Sequence, residues 1–192
     1  RMPEIWLSET MHGAYFAYYF LIALPALWLL ARRRRDAYHD LTFRLLLGYL
    51  VCYVIYLAFP VDGPIFRLTP FHGPLTAGFF YHLAHGVVEY GHAQGATFPS
   101  SHVVGAVTIA WVGWRYFPWP VGVLLGIEAL GVTLSTVYTQ NHYAVDSIAG
   151  VALAVLIQLW VAPALLRMRA PVVRPPLPVL PQVPPLSRLG SA

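Results

Sequence analysis

Five apolar runs, at residues 13–31, 41–59, 102–117, 119–138 and 143–166, approach the length that crosses a bilayer. A helix rises 1.5 Å per residue, so about 20 residues cover ~30 Å of hydrocarbon. Inside hydrocarbon each backbone N–H and C=O must be paired within its own segment, or around a closed barrel. The runs show no barrel-type alternation, so the sequence predicts an all-α, polytopic membrane helical bundle of about five transmembrane helices. The third run is short and needs close neighbours or local thinning of the bilayer. Composition agrees, with 58% of the 192 residues hydrophobic and 10% charged, against roughly 25% charged in soluble domains.

Charge orients the bundle. All twelve basic residues are arginine, and they set the formal net charge of +4. The block Arg32-Arg33-Arg34-Arg35 closes the first run and places that end in the cytoplasm. Alternation of the spans then puts Arg44, Arg115, Arg167, Arg169, Arg174 and Arg188 on the same side, leaving only Arg1 and Arg67 opposite. Trp111, Trp114, Trp119 and Trp160 fall near the same ends, as an aromatic belt does. Arginines gathered at the ends of apolar runs argue against nucleic acid as a partner and for membrane lipids. Cys52, the sole cysteine, lies within an apolar run, which excludes an internal disulfide, a cysteine zinc site and a CxxC pair. The first run is long enough to span and has no small-residue cleavage pattern behind it, so no signal peptide is expected.

Two segments are not spans. Residues 60–101, rich in aromatics, Gly and Pro, form a long outer connection that reads as an interfacial or re-entrant piece covering something, since loops of that length usually carry function. Residues 170–192 hold seven prolines and read as an extended cytoplasmic tail. The chain therefore divides into a transmembrane domain, 1–169, and a Pro-rich tail, 170–192.

Two stretches carry chemistry, and the charge pattern puts both at the extracytoplasmic surface. In Phe98-Pro99-Ser100-Ser101-His102 a proline and two serines precede an apolar run, a helix-start signal with Ser100 or Ser101 as cap. The free N–H groups and dipole of such an end favour an anion such as phosphate, and His102 stands at its rim. In Ser135 to Asp146, His142 and Asp146 are four apart at a helix start, so the carboxylate can hydrogen-bond one ring nitrogen and fix the tautomer. The other nitrogen then faces substrate as nucleophile or base. A carboxylate one turn inside the membrane costs roughly 2.5–3.5 kcal/mol unless partnered or used. The same His and Asp could instead be two ligands of a metal site.

These residues resemble the type 2 phosphatidic acid phosphatase superfamily, whose second motif reads Pro-Ser-Gly-His and third Ser-Arg-x5-His-x3-Asp. The resemblance covers about residues 41–166. It implies a helical bundle that cleaves or transfers a phosphoester of a phospholipid or lipid-phosphate substrate through a phosphohistidine, with no cofactor and no metal. Carried over by position, His142 is the nucleophile, Asp146 its orienting carboxylate and His102 the general acid, while Ser100, Ser101 and nearby amides cradle the phosphate. The family's first motif, Lys-x6-Arg-Pro, has no counterpart in a chain without lysine, and Thr136 stands where the third motif has Arg. Arg67, the arginine of the outer loop, is the natural substitute for these cations, against a plain role as interfacial anchor. The pattern looks like the branch of the inositol phosphorylceramide synthases, which pass a headgroup phosphate to a lipid alcohol rather than to water.

Other candidates are secondary. Tyr138, Gln140 and Asn141 are potential donors to phosphate oxygens. His82, His85, Glu89 and His92 would share a stripe if 75–92 is helical, read here as the solvated face of an interfacial helix. Glu128, mid-span, is expected protonated and hydrogen-bonded within the bundle. A transporter or ion relay through Glu128, Asp146 and the histidines, or a non-catalytic lipid-binding relative, are the competing functions.

Overall fold

The computed structural model describes residues 4–91 and 93–168. The proline-rich stretch 170–192, Arg1, Arg169 and His92 lie outside them. The described chain is helical: α1 Ile5–Ala31, α2 Arg35–Ala58, α3 Phe79–Gly91, α4 Ser101–Tyr116, α5 Trp119–Tyr138, α6 Ala144–Leu156 and α7 Ala162–Met168. A π turn, Ile157–Val161, carries α6 into α7. Four segments, α1, α2, α5 and the continuous stretch Ala144–Met168, are long and apolar enough to cross a membrane.

The third expected span, α4, has 16 residues, about 24 Å at 1.5 Å per residue, and is the centre of the bundle. It packs against α1, α2, α5 and α6. Val103, Val104, Ala106, Thr108, Ile109 and Val112 on it are at most 1% exposed, so its neighbours and not lipid surround it. The core built around it joins Leu29 and Leu41 to Ile109, Val112 and Val132. Leu46, Leu57, Ile127 and Ile148 point outward and are more than half exposed, the apolar surface a bilayer solvates.

Two helix starts lie earlier than hydropathy places them. The first helix begins at Ile5 rather than residue 13, because its polar outer turns face protein: Ser8 donates to the Leu75 carbonyl at 3.0 Å, and His12 is fully buried. The second begins at Arg35, which carries Arg44 inward, where it is 3% exposed. There it donates to Asp40 and to Gln158 of the π turn, both at 2.8 Å, and Gln158 donates to Thr108 at 3.0 Å. Arg44 is thus a partnered interior charge tying α2, α4 and the last span together, not a residue of the cytoplasmic rim.

The long outer connection folds as two short 3-10 turns and α3. Glu9 of α1 accepts the Phe80 and Tyr81 N–H groups at 3.0 and 3.1 Å, capping α3 from a neighbouring helix. One side of α3 is buried at Ala84 and Val88. The expected all-solvent polar stripe fails at His85. Its ring packs 4.0 Å from Tyr81 and 5.4 Å from His12, while His82 and Glu89 are exposed. Glu128 also departs from expectation, since its buried Oε1 has no hydrogen-bond partner.

Candidate active site

Ser100 caps α4, accepting the Val103 N–H at 3.4 Å, and its own N–H donates to the Asp146 carbonyl at 3.0 Å. The starts of α4 and α6 are thereby locked together. Gly150 allows this close approach, because a Cβ there would lie 2.8 Å from the Ser100 carbonyl. Behind them Thr136 accepts the N–H groups of both Asn141 and His142 at its carbonyl, at 3.1 and 3.0 Å. The α5–α6 turn is so folded back that His142 faces His102, with ring centroids 5.9 Å apart. Gln140, at φ 63°, takes the left-handed conformation this reversal requires.

The two histidines line one cavity of about 480 Å³ together with Ser101, Asn141, Thr97 and Tyr15. His142 is 6% exposed, and its Nδ1 lies 3.0 Å from the Thr97 carbonyl. A carbonyl only accepts, so Nδ1 carries the proton and Nε2 keeps its lone pair. Asp146 stands beside the ring at ion-pair distance rather than in hydrogen-bond contact. Asp146 Oδ2 stands 3.8 Å from Nδ1 and accepts the Tyr143 N–H at 2.7 Å in a capping box. His142 precedes α6, whereas Asp146 lies in its first turn. The carboxylate is thus placed to act on the ring by charge, and the Thr97 carbonyl to fix its tautomer.

His102, in the first turn of α4, has Nε2 3.3 Å from the Tyr15 hydroxyl. Its ring lies between Tyr15 and Tyr18, at 5.2 and 4.7 Å, and its buried Nδ1 has no partner.

The remaining candidates divide. Ser101 and Asn141 line the cavity, the Asn141 amide donating to Thr139 at 2.8 Å. Ser100 is wholly buried in its capping role and is not among the lining residues. The Ser101 N–H already donates to the Tyr56 hydroxyl at 3.2 Å, and Tyr56 donates to the Pro99 carbonyl at 2.7 Å. Tyr138 stands elsewhere, its ring stacked 5.7 Å from Phe71. Arg67 directly follows the cavity residue Phe66 but is 70% exposed, 3.8 Å from Asp62. Thr136 is fully buried, its hydroxyl 3.0 Å from Ser147, and its side chain is not among those lining the cavity.

Sequence reasoning missed the tyrosines. Tyr15, Tyr19, Tyr53 and Tyr56 all line the cavity, whose lining among the described residues includes no lysine, arginine or carboxylate. Their spacing, i and i+4 on α1 and i and i+3 on α2, was a visible signal of two facing aromatic stripes. Thr97 left no such signal, because its contribution is a backbone carbonyl. Among the described residues no group of three or more His, Cys, Asp and Glu is placed to hold a metal ion.

A family model described as the PAP2 superfamily matches residues 2–160. No curated protein and no solved structure matches the chain.

Proposed function

The chain belongs to the PAP2 superfamily, a membership that indicates a phosphatase-type activity, and from that premise we propose that it is a lipid phosphate phosphatase or phosphotransferase working through a phosphohistidine on His142. The observation that carries the reading is the His142–Thr97 contact at 3.0 Å beside His102 on one cavity wall. A buried imidazole held as the Nδ1–H tautomer presents Nε2 to whatever enters.

The steps follow from that arrangement. Nε2 of His142 attacks phosphorus and the ester P–O bond breaks. His102 delivers a proton to the departing alkoxide. In the second half water or an alcohol gives its proton to His102 and attacks the phosphohistidine, restoring free His142 and releasing phosphate or a new phosphoester. Asp146, 3.8 Å away, stabilises the positive charge that develops on the ring. Ser101, Asn141 and the lining tyrosine hydroxyls other than Tyr56, which donates to Pro99, supply hydrogen bonds to the phosphoryl oxygens. Arg67 reaches the site only by leaving Asp62, as an outer charge over the entrance.

A described lining without lysine or arginine favours transfer from a phosphodiester, the inositol phosphorylceramide synthase-like alternative. A monoanionic phosphodiester needs less countercharge than a dianionic monoester. The arginine distribution supports a catalytic end outside the cytoplasm. The purified chain, given phospholipids and lipid phosphates with and without lipid alcohol, tests the reading by phosphate release and headgroup exchange. No turnover and no phosphoenzyme with any substrate would overturn it in favour of a binding protein.

A further inference from the structure

Away from the catalytic cavity, α1 and α5 bound a second groove of about 660 Å³. Leu21, Leu24 and Trp28 form one wall and Val121 and Leu125 the other. The groove extends from Ala17 to Trp28 along α1, roughly 16 Å at 1.5 Å per residue. That is about half of the ~30 Å hydrocarbon thickness, the depth of one leaflet.

Its mouth is cationic. The Trp28 ring lies 4.6 Å from Phe117, and the Arg32 guanidinium sits over it, 5.5 Å from the centroid. Arg32, Arg33, Arg34 and Arg35 are all exposed, and Arg34 donates to the Tyr116 carbonyl at 3.3 Å, which holds the block over the α4–α5 turn. A guanidinium block above an apolar slot one leaflet deep has the order of parts of one lipid. We propose that this groove binds an anionic phospholipid of the leaflet on the Arg32–Arg35 side, its phosphate held by Arg32 and Arg33 and an acyl chain lying between α1 and α5. Charge complementarity selects the headgroup, since a choline ammonium would meet the same block that attracts the phosphate. Glu128 lies at the deep end, a leaflet away from the headgroup, and takes no part in that selection.

The test is native mass spectrometry of the full chain released from nanodiscs of equal parts phosphatidylcholine and phosphatidylglycerol. The wild type should retain phosphatidylglycerol over phosphatidylcholine by about tenfold, a preference that disappears at high salt. Arg32→Gln with Arg33→Gln should equalise the two lipids, and Leu24→Trp, which fills the slot, should lose both. Equal retention by wild type would overturn the proposal without any variant needing to fold. So would an unchanged preference in the double variant, lipid still held by Leu24→Trp, or a dimer whose cross-links run through the groove in place of lipid.

Discussion

His142 and His102 are the same residue type at one cavity, yet their partners give them different work. If Nε2 of His142 attacks, a phosphoenzyme forms that is acid-labile and base-stable, and His142→Ala abolishes it. His102→Ala removes only the proton donor, a loss of about 10²–10⁴-fold, greatest for alkyl leaving groups and smallest for an activated aryl phosphate. Rapid acid quench with labelled substrate reads both, and label persisting in His142→Ala would reverse the assignment. Asp146→Asn is milder than in a triad where aspartate sets the tautomer, because Thr97 does that here. Asn still accepts the Tyr143 N–H, so the fold survives. The lost charge should lower kcat/KM by roughly 10–100-fold, from about 1.5–3 kcal/mol for a charge-assisted contact. A loss near 10⁴-fold would mean that Asp146, not Thr97, orients the ring. The meeting of His102, His142 and Asp146 was legible in the sequence because two helix starts on one side of the bundle bring them together. The detailed roles of Ser100 and Asp146 were not, since capping and catalysis draw on the same residue types at a helix start.

Helices were legible where lipid dictates them. The span 119–138 matches α5 residue for residue, because hydrocarbon on one side and Pro118 at the start leave no other solution. Helices whose polar turns face protein were not, as at Ser8, His12 and Asp40, where hydropathy reads a loop and tertiary partners permit a helix. The same distinction separates two glycines. At Gly150 a Cβ would meet the Ser100 carbonyl at 2.8 Å and Val103 Cβ at 3.1 Å, so Gly150→Val should cost about 1–3 kcal/mol and pry the His142 turn from His102. Gly86, inside α3, has open space where a Cβ would stand, with nothing within 4 Å, and Gly86→Ala should stabilise α3 by about 0.5–1 kcal/mol. Thermal unfolding in detergent separates the two, and equal shifts would deny the α4–α6 contact its role. The docking of α3 also depends on pH. Burial, then the neighbouring His12 and His82, pull the His85 pKa down to about 4. Folding thus holds His85 neutral, so its contribution is whole above the unfolded pKa of 6.5 and is lost as pH falls toward 4. Protection factors in α3, which remove the intrinsic pH dependence of amide exchange, should fall as pH drops through that window in wild type and fall less in His85→Phe, where, of the two packed rings, His12 alone still titrates.

At the scale of the whole molecule, charge and chemistry occupy opposite ends. His102, His142 and Asp146 gather at one end of the bundle, while Arg32–Arg35 and Arg115 lie at the other, at the α1–α2 and α4–α5 turns. A relay through the membrane would spread ionisable groups along its depth. Here the interior arginine is neutralised by Asp40, and Glu128 stands without a hydrogen-bonded neighbour at its buried Oε1, so the described residues form no such chain. The positive-inside rule then makes a directional prediction about the catalytic end. Cys52 is wholly buried, so single cysteines can be read against it without removing it. Gln94 is exposed in the loop before α4, near the cavity, and Asp36 is exposed beside the arginine block. A membrane-impermeant maleimide should label Gln94→Cys on intact cells and reach Asp36→Cys only after the membrane is opened. The opposite pattern would place the histidines in the cytoplasm, and the substrate would then be a lipid of the inner leaflet.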